Sequence, residues 1–464
     1  MTLIKSISGI RGTIGGEVGD ALTPVDIVKY AAAYGTYIKS DKKEARVVIG
    51  RDARVSGPMV SALVSSTLQG LGIHVIDIQL APTPTVELAV KEQSADGGII
   101  ITASHNPGQW NALKLLNAGG EFLSAEAGEE VLRIAEDASF EFATSKKLGS
   151  YALVEDFFDV HLEKILALPE VDKEAIAERK FRVAVDCVNS VGGIVVPQLL
   201  EALGVEQVEK FFCEPDGAFK RNPEPVPENL THICSKIEQG AFDLGIVVDP
   251  DVDRLVLIQD NGAPFGEEYT LVAVADYILG VNGGGNTASN LSSSQALQDV
   301  TEKHGGSYTA AAVGEVNVVQ AMKANDAIIG GEGNGGVIYP KMHYGRDALT
   351  GIALFLSHLA KSGKTMTQLK ATYPQYHISK NKIELTPDID IDGIMKGIKQ
   401  KYQSMPINSI DGIKISFGKE WVHLRKSNTE PIIRIIAESH SQVTADHLAN
   451  KLISDIREVI SQRA

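Results

Sequence analysis

The feature that most constrains the fold is a pattern that occurs three times: a short apolar strand runs directly into a loop of polar residues. Residues 99–102 lead into Ser104 and His105, residues 243–248 lead into three aspartates, and residues 327–329 lead into a glycine-rich loop. Helical patterns separate the strands, and this alternation favours a largely parallel α/β sheet with helices on its faces. Because ligands bind at the carboxyl ends of such strands, the three loops are candidate site segments.

The same rhythm predicts several domains in a chain of 464 residues. We predict three similar mixed-sheet α/β domains, over residues 1–150, 151–255 and 256–365. Residues 366–464 group their strands together, which is typical of a smaller C-terminal α+β domain. Within domain 2 we expect a helix over residues 151–167 and a charged connector over residues 170–180.

Composition restricts the partners and the compartment. The net charge of -15 argues against nucleic acid and against anionic membrane surfaces. The three cysteines have irregular spacing, so they predict neither a zinc site nor disulfides and suit a reducing compartment. The first residues lack the apolar core of a signal peptide, and no run approaches the ~18 apolar residues of a membrane span. We therefore expect a cytoplasmic protein without nucleic-acid or membrane partners.

Ser104 is the first candidate catalytic residue. It follows a buried strand and precedes Asn106-Pro107, a turn signal, so it belongs on a loop at a strand end. With His105 beside it and Lys114 close in sequence, Ser104 is a candidate nucleophile with acid and base groups in reach. Taken alone, a Ser-His pair before Asn-Pro is more typical of a polar turn. The nucleophile hypothesis therefore depends on the rest of the chain.

Asp249, Asp251 and Asp253 form the second candidate site. Three carboxylates at alternate positions after a strand can converge on Mg²⁺, which prefers oxygen ligands. An EF-hand also begins with this spacing, but Arg254 stands where that loop requires glycine, and the next residues predict a strand. Without a cation such a cluster would repel itself.

Two further loops are candidate binding segments. Residues 331–336 contain G-x-G-x-x-G, but a strand follows where a dinucleotide site needs a helix. A polyol site with Glu332 and Asn334 is more plausible than a dinucleotide site, and a simple turn is equally open. The other loop provides an arginine, two hydroxyls and an amide, which favours a phosphate site: Arg425, Ser427, Asn428 and Thr429.

Arginines next to glycines are candidates for phosphate contacts because a guanidinium can form two parallel hydrogen bonds with phosphate oxygens. For Arg11, which lies between Gly9 and Gly12, we favour this function slightly over an ordinary ion pair. For Arg51 and Arg54 the two interpretations stay equally open. Together, a serine, a cation site, a polyol loop and a distal phosphate loop are typical of phosphoryl transfer through a serine carrier.

The four loops resemble the signature loops of the α-D-phosphohexomutases, the family that includes phosphoglucomutase/phosphomannomutase and phosphoglucosamine mutase. The matching segments, in the family order and covering nearly the whole chain, are Thr102-Ala-Ser-His-Asn-Pro107, Asp249-Pro-Asp-Val-Asp-Arg254, Gly331-Glu-Gly-Asn-Gly335 and Arg425-Lys-Ser-Asn-Thr-Glu-Pro431.

The resemblance implies four domains around a central cleft, with Ser104 as a phosphoserine. It implies one Mg²⁺ per chain, bound by Ser104, Asp249, Asp251 and Asp253. By the same match, Arg11, His105, Lys114 and Arg254 line the transfer site, and Lys114 is a candidate general acid/base. Glu332 and Asn334 would contact the sugar hydroxyls, and the loop containing Arg425, Ser427, Asn428 and Thr429 would bind the distal phosphate.

The implied reaction interconverts a hexose 1-phosphate and a hexose 6-phosphate, with the hexose 1,6-bisphosphate as intermediate and activator. The protein would be a monomer or a homodimer. The sugar loop departs from the Glu-x-Ser-Gly-His of many bacterial members, so glucose, mannose, glucosamine and N-acetylglucosamine stay open. Phosphoglucosamine mutase is the alternative with the same mechanism. A Mg²⁺-dependent sugar phosphatase and a non-catalytic sugar-phosphate sensor are the alternatives of other classes.

Overall fold

A computed structural model describes residues 2–6, 9–40, 42–384, 390–426 and 432–461. The chain forms two compact units, each built from two segments of sequence. Unit 1 contains Met1–Thr270 and Asn334–Leu369, and unit 2 contains Leu271–Gly333 and Lys370–Ala464. Within the described ranges, no helix is both long and apolar enough to cross a membrane. The predicted boundaries near residues 150, 255 and 365 stay a prediction.

The strands are, in chain order, β1 (Ile4–Ser6), β2 (Gly9–Thr13), β3 (Arg46–Arg51), β4 (His74–Leu80), β5 (Gly97–Ile101), β6 (Trp110–Leu116), β7 (Tyr151–Leu153), β8 (Arg182–Asp186), β9 (Gln207–Phe211), β10 (Leu244–Val248), β11 (Leu255–Ile258), β12 (Asn286–Asn290), β13 (Tyr308–Ala311), β14 (Ala327–Glu332), β15 (Gly336–Ile338), β16 (His377–Glu384), β17 (Ile407–Asn408), β18 (Ile413–Phe417), β19 (Glu420–Lys426) and β20 (Ile432–Ser439).

The α-helices are α1 (Pro24–Lys39), α2 (Gly57–Gly70), α3 (Thr83–Glu92), α4 (Ala125–Asp137), α5 (Phe158–Leu166), α6 (Lys173–Arg179), α7 (Gly192–Ala202), α8 (Thr231–Gln239), α9 (Glu267–Asn282), α10 (Gln295–Lys303), α11 (Glu315–Ala324), α12 (Ala348–Ser362), α13 (Met366–Lys370), α14 (Ile391–Lys401) and α15 (Gln442–Ser461).

The first sheet of unit 1 is mixed, as predicted. Among the described residues it has the order β1-β2-β6-β5-β3-β4-β7, with β3 parallel to both β4 and β5. β5 is buried along its whole length, which explains its continuous run of glycine and isoleucine. β6 runs antiparallel to β5 and places Lys114 opposite Ile100. The sequence analysis did not predict β6, although this strand brings Lys114 beside the strand that leads to Ser104.

The second sheet of unit 1 has the order β11-β10-β8-β9. β10 pairs with β8 in parallel and with β11 in antiparallel fashion, and Val248 lies opposite Leu255. Residues 249–254 therefore form the tight connection of a β-hairpin. This geometry confirms that a strand, and not the second helix of an EF-hand, follows the aspartates.

Unit 2 contains an αβ part and the C-terminal α+β part. In the αβ part, β12 lies between β13 and β14 and is parallel to both. In the C-terminal part, the described strands form an antiparallel sheet with the order β16-β20-β19-β18-β17. Apolar residues of α14 and α15 cover this sheet and form its core. The predicted fold class, α/β domains followed by a smaller α+β domain, is confirmed.

Two local predictions in domain 2 are wrong. Residues 151–167 do not form one helix, because β7 pairs in parallel with β4 and α5 begins only at Phe158. Residues 170–180 are not a simple connector, because they contain α6. The Asp172 side chain accepts a hydrogen bond from the backbone N–H of Ala175 and caps this helix, while Ile176 is buried. The segment also contacts the region of α12, through hydrogen bonds from the Asp172 backbone N–H to Ser357 and from Arg179 to the Lys364 carbonyl oxygen, and a charged segment is thereby ordered.

Candidate active site

Ser104 lies on a loop after β5, which we call the serine loop (residues 102–110). Its side chain is largely buried and its φ of 48° lies in the left-handed region, which is unfavourable for a non-glycine residue. The backbone N–H of Ser104 donates to the Thr102 hydroxyl (2.9 Å), and that hydroxyl donates to Asp52 (2.7 Å). These contacts hold the serine in a conformation that presents its oxygen at the carboxyl edge of the sheet.

Arg54 holds the backbone of the serine loop in place through its guanidinium group. Its side chain is fully buried and its Nε donates to Asp52 at 3.0 Å. Its remaining N–H groups donate, at distances of 2.5, 2.7, 2.7 and 3.0 Å, to the carbonyl oxygens of Ser104, Asn106, Pro107 and Trp110. A guanidinium has five N–H donors, and this arrangement occupies them with protein acceptors. The phosphate interpretation of Arg54 is therefore wrong, and Arg54 is a structural residue of the loop.

The Ser104 hydroxyl connects the serine loop to the aspartates. Its Oγ donates to Asp249 Oδ2 at 2.8 Å and lies 3.3 Å from His105 Nδ1. Arg254 Nη2 lies 2.8 Å from the same His105 nitrogen. Because a guanidinium only donates, His105 Nδ1 accepts and the imidazole proton belongs on Nε2.

The three aspartates lie in the hairpin connection at residues 249–254, which we call the aspartate loop, and all three are fully buried. Lys114 Nζ lies 2.6 Å from Asp251 Oδ2 and 3.6 Å from Asp253 Oδ2. Two residues that the sequence analysis did not select complete the contacts. Thr83 donates to Asp251 at 2.8 Å, and Arg346 donates to Asp253 at 2.7 Å.

The charges of this region shift the pKa values of its groups in opposite directions. Burial, together with the carboxylates of Asp253 and Asp251, raises the pKa of Asp249 well above its usual value. Burial would also raise the pKa of Asp251, but the Lys114 ammonium and its hydrogen bond lower it. Burial would lower the pKa of Lys114, whereas Asp251 and Asp253 raise it. Burial, and then the charge of Arg254, lowers the pKa of His105 well below its usual value. Lys114 is thus a cation and His105 a neutral base.

The aspartate loop fits a hard divalent cation. One carboxylate oxygen from each of the three aspartates lies within 4.8 Å of the other two. Among the described residues, no hydrogen-bond donor reaches the buried Oδ1 atoms of Asp251 and Asp253. Buried carboxylate oxygens without donors are costly, and a Mg²⁺ ion that takes oxygen ligands would satisfy them.

Arg11 lies on β2, where it pairs with Ala112 of β6. Burial, and then the positive charge of Arg254, lowers the pKa of Arg11. The fold therefore brings two arginines close enough to repel each other, on the same edge of the sheet as Ser104. Like charges that are kept together in this way are consistent with an anionic ligand.

The predicted sugar residues Glu332 and Asn334 belong to different compact units. In unit 2, Glu332 is buried at the end of β14, where its Oε1 accepts from Asn290 Nδ2 (2.9 Å) and from the backbone N–H of Gly314 (3.2 Å). In unit 1, the Asn334 side chain accepts from the backbone N–H of Gly336 at 3.2 Å. Asn290 was missed because β12 is a polar sequence, Asn-Thr-Ala-Ser-Asn, without the apolar pattern of a buried strand.

The predicted phosphate loop is described only at its first two residues. Arg425 lies near the end of β19, and its Nε is 3.6 Å from Asp411 Oδ2, a weak ion pair. Ser427, Asn428 and Thr429 lie outside the described residues.

Arg346 could have been selected from the sequence, because it lies in the segment Tyr344-Gly-Arg-Asp347, where an arginine follows a glycine and precedes an aspartate. The position of Thr83 at the first turn of α3 carried no such signal.

Four models of one protein family match four consecutive segments of the chain. Models of the phosphoglucomutase/phosphomannomutase alpha/beta/alpha domains I, II and III match residues 3–142, 159–262 and 266–376. The model of the phosphoglucomutase/phosphomannomutase C-terminal domain matches residues 387–454.

Similar proteins cover nearly the full length of the chain. A phosphoglucomutase/phosphomannomutase of Thermococcus kodakarensis is 37% identical over 445 residues, which are 94% of each chain. A probable phosphoglucosamine mutase of Methanopyrus kandleri is 32% identical over 458 residues, which are 98% of each chain. The crystal structure of a phosphoglucomutase/phosphomannomutase family protein from Burkholderia thailandensis has a TM-score of 0.83 at 23% identity, with 99% of this chain and 98% of that one covered.

Proposed function

We propose that this chain, which belongs to the phosphoglucomutase/phosphomannomutase family of isomerases, interconverts hexose 1-phosphates and hexose 6-phosphates through a phosphoserine at residue 104. The observation that carries the proposal is the contact of 2.8 Å between Ser104 Oγ and Asp249. It joins a strained serine, a buried carboxylate cluster and a set of cationic side chains in one unit of the protein. A phosphate on Ser104 would find these groups already in position.

In the first half-reaction, a substrate hydroxyl oxygen forms a bond to the phosphorus of phosphoserine 104 while the P–Oγ bond breaks. Lys114 acts as the general acid and base: it donates a proton to the departing serine oxygen and takes up the proton of the attacking hydroxyl. The second half-reaction reverses these transfers with the other phosphate of the sugar bisphosphate. Lys114 is then an ammonium group as at the start, and the serine carries a phosphoryl group again.

Asp249, Asp251 and Asp253, with an oxygen of the Ser104 phosphate, would hold Mg²⁺. Bound there, the cation withdraws charge from the phosphoryl oxygens and lowers the barrier to transfer. The aspartates themselves orient Lys114, and Arg254 orients His105 through the contact of 2.8 Å.

For substrate recognition, we assign Glu332 to the sugar hydroxyls, together with Asn290, its hydrogen-bond partner, and Asn334. Arg425 and the hydroxyl and amide groups that follow it would bind the distal phosphate. The sugar identity is the open part of the assignment, because glucose, mannose and glucosamine differ only at C2. A single hydrogen bond to that position can change relative rates strongly when the group left behind is buried and unpaired.

Intact-mass measurement tests the carrier role. We expect a species heavier by one phosphoryl group after incubation with glucose 1,6-bisphosphate and Mg²⁺, and no such species in Ser104→Ala. Ser293→Ala, a change at a buried hydroxyl in unit 2, is the matched control and should keep the added mass. If the wild-type protein gains no mass under these conditions, the phosphoserine mechanism is wrong.

A coupled assay over the 1-phosphates of glucose, mannose, glucosamine and N-acetylglucosamine would assign the sugar. Release of free phosphate without formation of the 6-phosphate would instead identify a sugar phosphatase. Retention of bound sugar phosphate with no turnover would identify a sensor.

A further inference from the structure

A second buried cluster of metal-binding side chains lies in unit 1, apart from the aspartate loop. It contains His161 on α5 together with His343 and Asp347, which lie between β15 and α12. All three side chains are buried, with exposed fractions of 4% or less. The proposed mutase reaction uses none of them.

Two of the three donor separations are close to those of a tetrahedral metal site, and the third lies within 4.8 Å. Asp347 Oδ2 lies 3.1 Å from His161 Nε2 and 3.4 Å from His343 Nε2. A zinc ion with bonds of 2.0–2.2 Å to nitrogen and oxygen requires ligand atoms about 3.3–3.5 Å apart at tetrahedral angles. The two imidazole rings are nearly perpendicular, with an interplanar angle of 81°, so their edges can point at one ion without stacking.

The outer partners of the three residues have the arrangement that orients metal ligands. The other nitrogen of His161 lies 2.9 Å from the Thr85 hydroxyl, and the other nitrogen of His343 lies 3.2 Å from a carboxylate oxygen of Glu87. Asp347 Oδ1 accepts hydrogen bonds from two backbone N–H groups at the start of α12, and Oδ2, which also accepts from the Thr350 hydroxyl, faces both histidines. Carboxylate–histidine pairs of this kind fix the ring and raise its basicity toward a metal.

The charge of the cluster calls for a cation. Within the part of the chain that the structure describes, neither ring nitrogen of His343 forms a hydrogen bond of acceptable geometry, although the ring is buried. Burial would lower the pKa of His343, but the nearby carboxylates of Asp347 and Glu87 raise it to about 10, so a proton on the ring supplies positive charge when no metal is bound. A divalent ion bound by neutral imidazoles would replace that proton and balance the same two negative charges.

We propose that His161, His343 and Asp347 bind a divalent transition metal of the zinc class, with a water molecule as the fourth ligand. The site differs in chemistry from the aspartate loop, because imidazole nitrogen selects borderline metals over Mg²⁺. The ion would tie α5 to the segment that leads into α12, and its role would be structural. This proposal does not depend on the phosphoserine mechanism.

Cobalt(II) substitution tests the site directly. The full-length protein is stripped with a chelator, supplied with excess Mg²⁺ to fill the aspartate loop, and titrated with Co²⁺. We expect an intense visible absorption of tetrahedral cobalt that saturates at one ion per chain. His161→Gln and His343→Gln should lose this absorption, while Asp249→Asn, the matched control in the other cluster, should keep it. Folding of each variant is checked by circular dichroism.

Two results would overturn the proposal. The first is a folded wild-type protein that develops no tetrahedral cobalt absorption, and the second is an absorption that persists in folded His161→Gln. If both histidine variants fail to fold, X-ray absorption of the zinc-loaded wild-type protein decides: imidazole scattering at about two ligands per zinc supports the site, and its absence refutes it.

Discussion

Two regions of this protein use buried polar groups in different ways. Around Ser104 in unit 1, three buried or largely buried ion pairs occur: Arg54 with Asp52, Lys114 with Asp251, and Arg346 with Asp253. Around Glu332 in unit 2, the carboxylate accepts from a neutral amide and a backbone N–H. Arg425 lies 3.6 Å from Asp411, farther than a hydrogen bond.

In the proposed function, the first region carries out the phosphoryl transfer and the second recognises the sugar, and the two tasks need different polar groups. Phosphoryl transfer needs fixed charges whose positions do not change during the reaction, because reorganisation would raise the barrier. Sugar recognition needs exchangeable hydrogen-bond partners, which neutral groups supply at a lower desolvation cost than ions. We therefore expect substitutions near Ser104 to reduce kcat, and substitutions near Glu332 to change KM and the choice of sugar.

The largest effect should follow Ser104→Ala. Without the nucleophile, kcat should fall by at least about 10⁴-fold, as when other covalent nucleophiles are removed. The variant should remain folded, because Asp249 still accepts from the backbone N–H of Arg254 at 3.2 Å. Steady-state rates with a glucose 1-phosphate substrate and a thermal unfolding curve measure both quantities. Activity within tenfold of the wild type would mean that Ser104 is not the nucleophile.

Asp251→Asn should have the next largest effect. The amide is a weaker ligand for Mg²⁺ and a weaker partner for Lys114, so activity at fixed Mg²⁺ should fall by about 10²- to 10³-fold. Part of the loss should be recovered at high Mg²⁺, which a titration of initial rate against Mg²⁺ concentration would reveal. Asp137→Asn, at an exposed position on α4, is the control and should follow the wild-type curve.

Arg54→Lys tests whether the rigid backbone of the serine loop matters for the chemistry. Lysine keeps the charge but cannot reach four carbonyl oxygens from one planar group, so buried carbonyls lose their donors. We expect kcat to fall by about 10- to 100-fold with KM nearly unchanged, and the free energy of unfolding to fall by about 2–3 kcal/mol. A drop in stability with unchanged kcat would limit Arg54 to a folding role. Arg133→Lys, on the exposed face of α4, is the matched control.

Glu332→Gln should give a smaller effect of a different kind. Glutamine can keep both hydrogen bonds that now end on Oε1, but its NH₂ group donates where the other carboxylate oxygen would accept from a sugar hydroxyl. We therefore expect KM to rise by about tenfold and kcat to change little. The ratio of kcat/KM between glucose and mannose phosphates should change as well. Glu302→Gln, an exposed change in the same unit, should leave both parameters unaltered. A loss confined to kcat would place Glu332 with the reaction groups instead.

The smallest effect on activity accompanies a change of another kind, the pH dependence of stability in unit 2. Burial lowers the pKa of His423 to about 4, and its ring contacts the Ser292 hydroxyl at 2.9 Å and the Asp411 carbonyl oxygen at 2.6 Å. Because the pKa is lower in the folded state than the ordinary 6.5, this contribution to stability is complete above pH 6.5 and is lost as the pH falls toward 4. The loss should reach about 3 kcal/mol.

Urea unfolding of Trp110→Phe between pH 7 and 4 would measure this loss. Trp421 is then the remaining tryptophan and reports on unit 2. The same protein with His423→Gln should show a flatter dependence on pH. An equally steep dependence in that variant would mean that other groups titrate.

Much of the fold was predictable because its signals are local. The apolar run of β5, the turn at Asn106-Pro107 and the alternating aspartates after β10 lie within a few residues of one another. The spacing of apolar residues and the identity of the turn residues are therefore sufficient to predict three strands that end in polar loops. The family resemblance rests on the same short segments, and the matches over all four domains confirm it.

The errors occur where tertiary pairing decides the structure. β7 is exposed along its length, and it forms a strand because it pairs in parallel with β4. β12 is a polar sequence that becomes a central strand because it lies between β13 and β14. Neither segment has a local pattern strong enough to predict its state, since the free energy comes from the neighbouring strand.

By itself, the sequence determined which segments end in reactive loops and which family the chain belongs to. Only the tertiary structure decided what surrounds those loops. Arg54 reaches the serine loop across about 50 residues of sequence, Arg346 reaches Asp253 across 93, and His161 meets Asp347 across 186. No sequence pattern predicts these contacts. A buried charge is stabilised by the partners that the fold brings to it, and the spacing of residues in the sequence does not identify those partners.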